Sequence, residues 1–207
     1  MNFLQLVQRV RQECSIAGTG PASVVNQTGQ LQSLVDWTAD AWNEIQGDRL
    51  WSWQWEAVTL SFAVGEQFKL EGIPSRRWSK NAFRETSEMT YVPWETFRRM
   101  YPVPQDGDPR TWSVRPDGAF MLSTKPVVAT SIAVERYAIP TQLDSDDDIP
   151  AMPARYHMAV VWKAVMKYAE EQEAGVLRAT AQDNHAKIMM DVFSECTPDI
   201  QFGAPLL

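Results

Sequence analysis

The sequence predicts an α+β protein: a four-helix bundle with an inserted antiparallel β subdomain and an extended C-terminal tail. Three observations predict it. Apolar residues recur at helical spacing near both ends of the chain, and they switch to period-2 alternation between residues 51 and 140. The last eleven residues, 197–207, carry two prolines and no helical stripe.

The first helix is expected over residues 2–14, where Phe3, Leu6, Val7, Val10 and Cys14 share one face. The turn residues of 15–21 end it. A longer helix is expected over 28–47, with Thr28 as N-cap and Gly47 as its stop. Leu31, Leu34, Val35, Thr38, Ala41, Trp42 and Ile45 form its stripe. Residues 1–50 are thus the N-terminal half of the bundle.

The insert is read over 51–140. Trp51, Trp53 and Trp55 alternate, and Val58, Leu60, Phe62 and Val64 continue the pattern as one strand. Gly65-Glu66 turns the chain, and 67–71 is the expected returning strand. A short helix fits 94–100 between Pro93 and Pro102. Segments 110–115 and 119–123 flank Pro116-Asp117-Gly118 as a hairpin, and the β-branched run 130–138 supplies a last strand. Four to six antiparallel strands are expected.

Residues 141–150 (TQLDSDDDIP) read as an acidic, solvated linker. Pro153 then opens a helix to about Glu173. A turn at Ala174-Gly175 leads into a helix over 176–195, so 151–196 forms the C-terminal half of the bundle. With 207 residues, 44% hydrophobic and 22% charged, the chain is long and apolar enough for a real core.

Nineteen basic and 26 acidic groups give a net charge of −7, which disfavours nucleic acid as the main ligand. The excess acid lies outside the insert, because 51–140 carries 11 basic and 10 acidic groups. No apolar run reaches 18 residues and the N-terminus lacks a basic region followed by an apolar one, so neither a membrane span nor a signal peptide is expected.

Reactive chemistry is sparse. His157 and His185 stand alone and read as surface or edge imidazoles rather than as a base or a metal ligand. Cys14 and Cys196 are too few for a zinc site, and Cys14 reads as a buried thiol. The run Asp144–Asp148 opens like a calcium loop, but Ile149 stands where that loop needs Gly and Arg155 where it needs Glu. No nucleotide-binding or nucleophile motif occurs, so no catalytic residue, metal or cofactor is assigned and the chain is not expected to be an enzyme.

Other features remain. Trp51, Trp53 and Trp55 are either a core layer or a stacking platform for a sugar or base. Two spots mix aromatic and cationic residues: Arg76, Arg77, Trp78 and Lys80; and Trp94, Phe97, Arg98, Arg99 and Tyr101. That composition is typical of protein interfaces, with nucleic acid or a solvated loop as the other readings. The apolar end IQFGAPLL either folds back on its own bundle or docks on another chain as an extended peptide.

The segment NFLQLVQRVRQECSIAGTGPASVVNQTGQLQSLVDWTADAWNEIQ resembles the N-terminal region of tailed-bacteriophage adaptor proteins, the head-to-tail connectors beneath the portal. The likeness rests on the Thr28-Gly29 step and on Val35, Trp37, Ala41 and Trp42. IPAMPARYHMAVVWKAVMKYAEEQEA resembles the family's returning helix. The likeness covers both helical ends, about half the chain, and its motifs are packing patterns, so no catalytic role is carried over.

The resemblance implies a dodecameric ring of copies that binds the portal protein and links it to a downstream nozzle or tail-tube protein. DNA would pass through the channel without specific binding, and no membrane is involved. The expected location is the neck or tail of the virion, after assembly in the host cytoplasm. It also implies that Ile200, Gln201, Phe202, Gly203, Ala204, Pro205, Leu206 and Leu207 reach into the portal. Arg76, Arg77, Trp78, Trp94, Phe97, Arg98 and Arg99 are the expected subunit or tail interface. The competing expectation is a glycan-binding tail component that uses the Trp-rich β part.

Overall fold

The computed structural model describes residues 1–70, 75–139 and 141–197, with residues 75 and 76 described by backbone alone. In chain order the elements are helices α1 (Phe3–Glu13) and α2 (Gly29–Asp48), then strands β1 (Trp55–Phe62), β2 (Phe68–Lys69), β3 (Ser75–Arg84), β4 (Ser87–Glu88) and β5 (Thr90–Tyr91). Helix α3 (Trp94–Met100) follows, then β6 (Asp106–Gly107), β7 (Thr111–Val114), β8 (Phe120–Leu122), β9 (Lys125–Pro126) and β10 (Thr130–Ala138). Helices α4 (Met158–Glu171) and α5 (Gly175–Cys196) close the series. The protein is α+β, with five α-helices and mainly antiparallel sheets among the described residues. It divides into two compact units, Met1–Trp53 with the described part of Pro140–Leu207, and Gln54–Ile139.

In the helical unit, α1 begins at Asn2 because a capping box closes there. The Asn2 side chain accepts from the Gln5 amide at 2.9 Å, and the Gln5 side chain accepts from the Asn2 amide at 3.1 Å. Phe3, Leu6, Val7 and Val10 form the buried face. Thr28 sits at the N-cap of α2, though its side chain makes no capping bond. The helix runs past Gly47 to Asp48, and the extended backbone of Arg49 ends it. Gly47 is therefore not the stop. A lone glycine costs a helix only about 1 kcal/mol, and packing of Trp42 and Ile45 carries it through.

Pro153 opens a short 3-10 turn, Ala154–Tyr156, and α4 starts only at Met158. Ala159, Val160, Val161, Ala164, Val165 and Ala169 of α4 are all buried. Their small size lets α1, α2 and α5 each pack against this helix. Glu173, in the left-handed region with φ 52°, makes the tight turn into α5.

The segment 141–150 is not a solvated linker. Leu143 is buried, and the backbone of Asp146 and Asp148 accepts from the Leu4 and Phe3 amides at 3.2 and 2.7 Å. The Asp146 carboxylate accepts from the Val24 amide at 2.5 Å and from the Ser23 hydroxyl at 3.1 Å. It thereby ties the loop before α2 to the start of α1.

The three alternating tryptophans do not lie on one strand. Residues 52–54 form a 3-10 turn, and β1 begins at Trp55. Trp51 is fully buried in the helical unit, with Trp53 stacked on one side at 4.7 Å and Phe193 on the other at 5.6 Å. Its indole N–H donates to the Ile45 carbonyl at 2.6 Å. Only Trp55 joins the sheet, where it is exposed. A three-tryptophan stacking platform is not assembled.

The β unit holds ten strands among the described residues, more than expected, because several are two-residue pairings. One sheet runs β1-β10-β3-β4, a second β2-β8-β7-β5, and β6 pairs with β9. β5 pairs with β7 and β6 with β9 in parallel, and the other pairings are antiparallel. β1 lies along β10 from Trp55↔Tyr137 to Phe62↔Thr130. The returning strand expected at 67–71 is only Phe68–Lys69, and it pairs with β8 instead of β1. β3 was hidden by its polar composition. The predicted hairpin is β7–β8, where Gly118 takes φ 87° at the turn, a conformation open to glycine at little cost. Leu60, Phe62, Ala82, Ile132 and Val134 of the first sheet and Trp112, Phe120 and Leu122 of the second make the core. Trp112 stacks on Phe120 at 4.6 Å.

Candidate protein-binding surface

The first aromatic and cationic spot falls on β3. Arg76 lies outside the residues whose side chains are described. Arg77 is exposed, while Trp78 is half-buried and turns its ring to the core, edge-on to Phe120 at 5.7 Å. The guanidinium of Arg136 lies 5.7 Å from the Trp78 ring. Arg136 is itself only 1% exposed and bonds the Glu56 carboxylate at 2.6 Å. Trp78 therefore serves packing first and contact second.

Arg77, Trp78 and Lys80 line a cleft of about 350 Å³ with Tyr91, Val114, Arg115, Pro116 and Gly118. β3 supplies one wall and β5 with the β7–β8 turn supplies the other. Lys80 Nζ sits 5.9 Å from the Tyr91 ring centre, and the Arg115 guanidinium pairs with Asp117 at 2.9 Å. Tyr91 and Arg115 were not singled out from the sequence, because they lie 13 and 37 positions from Trp78 and only strand pairing brings them in.

The second spot is α3. Phe97 is 1% exposed, so it anchors the helix in its own unit and is not available to a partner, contrary to its expected place in an interface. Trp94 stacks on it at 6.0 Å and is half-buried. Arg98 and Arg99 are exposed, but Arg98 is paired with Glu95 at 3.0 Å and Arg99 donates to the Glu95 carbonyl at 3.1 Å. No residue of α3 lines the β3 cleft, so the two spots are separate features.

Of the two histidines, His157 is neither a surface nor an edge group, whereas His185 stays at the half-buried edge. His157 is 1% exposed: the Met1 amino group donates to Nδ1 at 2.7 Å, so Nε2 carries the hydrogen and donates to the Met152 carbonyl at 3.0 Å. Burial is the main cause holding its pKa below the usual 6.5. Half-buried His185 bonds the Ala159 carbonyl at 3.0 Å, and burial lowers its pKa as well. Both rings have structural partners.

The acidic run is also spent on structure. Asp148 accepts from the Ser145 and Asp144 amides at 2.7 Å and from the Ser145 hydroxyl at 2.8 Å, and these bonds hold its pKa below 3.8. Among the described residues no group of three or more His, Cys, Asp or Glu is placed to hold a metal ion. Cys14 and Cys196 are buried free thiols, and burial, with a smaller push from Glu13, raises Cys14 to about 12. No helix among the described residues is long and apolar enough to cross a membrane.

What the described surface offers is contact area. Exposed large apolar side chains include Val64, Phe68, Val127 and Val128 on the β unit and Val176 and Met190 on α5. The tail residues Ile200–Leu207 lie outside the described residues. The model of the SU10 adaptor protein family matches residues 1–193 of the chain. The chain belongs to the SU10 adaptor protein family. The phage-adaptor resemblance of the two helical ends thus extends across the β insert, which no motif had reached. This adaptor matches no curated protein.

Proposed function

We propose that this adaptor is a structural component of the phage neck, which binds the portal as a ring of copies and links it to the next tail protein. The membership of residues 1–193 in an adaptor family carries the reading. It is not an enzyme in this reading: the imidazoles, thiols and acidic run described above have packing or backbone partners. The four long helices act as a bundle that gives each copy a rigid body, with α4 at its centre. The ring is a dodecamer, and DNA passes through its channel during ejection without being gripped, as the −7 net charge favours. The neck forms in the host cytoplasm and remains in the virion.

Residues 200–207 dock on the portal as an extended peptide. Their apolar side chains and Pro205 suit a groove that accepts extended backbone. Removing residues 198–207 should abolish attachment to portal while leaving the far-ultraviolet circular dichroism unchanged. Undiminished attachment of that truncated chain would remove the docking role. A particle that joins head to tail without the adaptor would remove the function as a whole.

A further inference from the structure

The β3 cleft carries more positive charge than it uses. Among the described residues neither Arg77 nor Lys80 has a carboxylate partner, and Arg115 has only the half-exposed Asp117. Three cationic side chains thus converge on a space of about 350 Å³ walled by Trp78, Tyr91, Val114 and Pro116. That volume is at the small end for ligand sites and takes a few side chains, not a length of duplex. A long polyanion is further disfavoured by the field of a chain of net charge −7. A short carboxylate-bearing segment fits both the local charge and the global one.

The chain itself displays such a segment. Residues 54–139 carry 11 basic and 10 acidic groups, and the rest of the chain carries 8 basic and 16 acidic. At the turn between α4 and α5, Glu170, Glu171 and Glu173 are all exposed. Among the described residues Glu171 and Glu173 have no cationic partner, and Glu170 has only a loose one in Arg178 at 3.6 Å. The positive φ of Glu173 holds that turn in a tight form.

We propose that the cleft of Arg77, Lys80 and Arg115 receives the Glu170–Glu173 turn of a second copy of this chain. A basic site on one unit and an acidic turn on the other make a heterologous contact between copies, which closes a ring when its rotation closes. The inference rests on the ring reading and names the contact within it.

Zero-length carbodiimide coupling of an equal mixture of isotopically heavy and light full-length chains, assembled on portal, tests it. The expected product joins the Lys80 amine to Glu170, Glu171 or Glu173, with heavy–light pairs present. Coupling of Lys80 to that turn only within single chains, or to other carboxylates only, would overturn the proposal. A charge-swap series adds an independent readout. Arg77→Glu with Lys80→Glu, and separately Glu170→Lys with Glu171→Lys, should each weaken association between copies about tenfold or more. The chain carrying all four changes should recover. Rings that form normally with either reversed pair would sink the proposed contact but not the ring. Absence of any ring on portal, even for the unaltered chain, would sink the ring reading, and the proposed contact with it.

Discussion

Asp146 illustrates how a single carboxylate can look solvated in a sequence and be structural in a fold. Its two bonds, to the Val24 amide and the Ser23 hydroxyl, cross more than 120 positions of chain. Deleting one side of a partly buried, charge-assisted bond leaves a donor without a partner, at a cost of about 1–3 kcal/mol. Asp146→Ala should lower stability by that amount in urea unfolding, whereas Asp144→Asn, two positions away and exposed, should stay within about 0.5 kcal/mol. Equal effects would mean that the run acts only through its total charge. The two histidines set a pH dependence of definite sign. Each has a folded pKa below 6.5, so below that pH the unfolded chain binds protons that the folded one refuses. Their contribution to stability is intact above pH 6.5 and falls as the pH is lowered toward the folded values. Melting temperature should drop on acidification through this window, and the drop should shrink in the His157→Gln, His185→Gln double variant.

At the scale of elements, the two units draw on different cores. Trp112 lies at 0% exposure between Phe120 and Tyr91. Truncating such a side chain costs about 3–5 kcal/mol. In Trp112→Ala, amide exchange should accelerate in β7, β8 and β10 while α1 and α4 keep their protection. Uniform acceleration across all the helices would show that the units do not unfold separately. The helices were legible in the sequence because a stripe such as Phe3, Leu6, Val7 and Val10 repeats within the element that carries it. The hairpin at Gly118 and strand β10 were legible for the same local reason. β3 was not: its inward residues Trp78 and Ala82 are separated by polar ones, and a bulge against β10 breaks the alternation. The run Trp51, Trp53, Trp55 misled because period 2 also fits a chain that makes a short helical turn before its strand. Of the candidate site, Arg77, Trp78 and Lys80 were visible as a composition. Tyr91 and Arg115 depend on strand pairing over tens of residues, which no local pattern encodes.

Across the whole molecule, charge is divided between units in a way the net value hides. The near balance of residues 54–139 sets a β unit with a cationic cleft against a strongly acidic remainder. Long duplex DNA would meet net repulsion, and its affinity for this chain should be negligible at physiological salt. Retention of duplex in a gel-shift titration at about 150 mM salt, where the Debye length is about 8 Å, would contradict the proposed channel. The proposed channel requires that weak affinity, since every phosphate held would have to be released during ejection.

The insert leaves and rejoins the helical chain along paired strands, with Trp55 facing Tyr137 across the ladder. Paired α-carbons in such a ladder stand only about 5 Å apart. A segment with neighbouring ends is a cassette: it can be spliced out for a short bridge, or exchanged for another module, without rethreading the helices. Lineages could thereby refit the insert to new neighbours while the helical chassis stays the same.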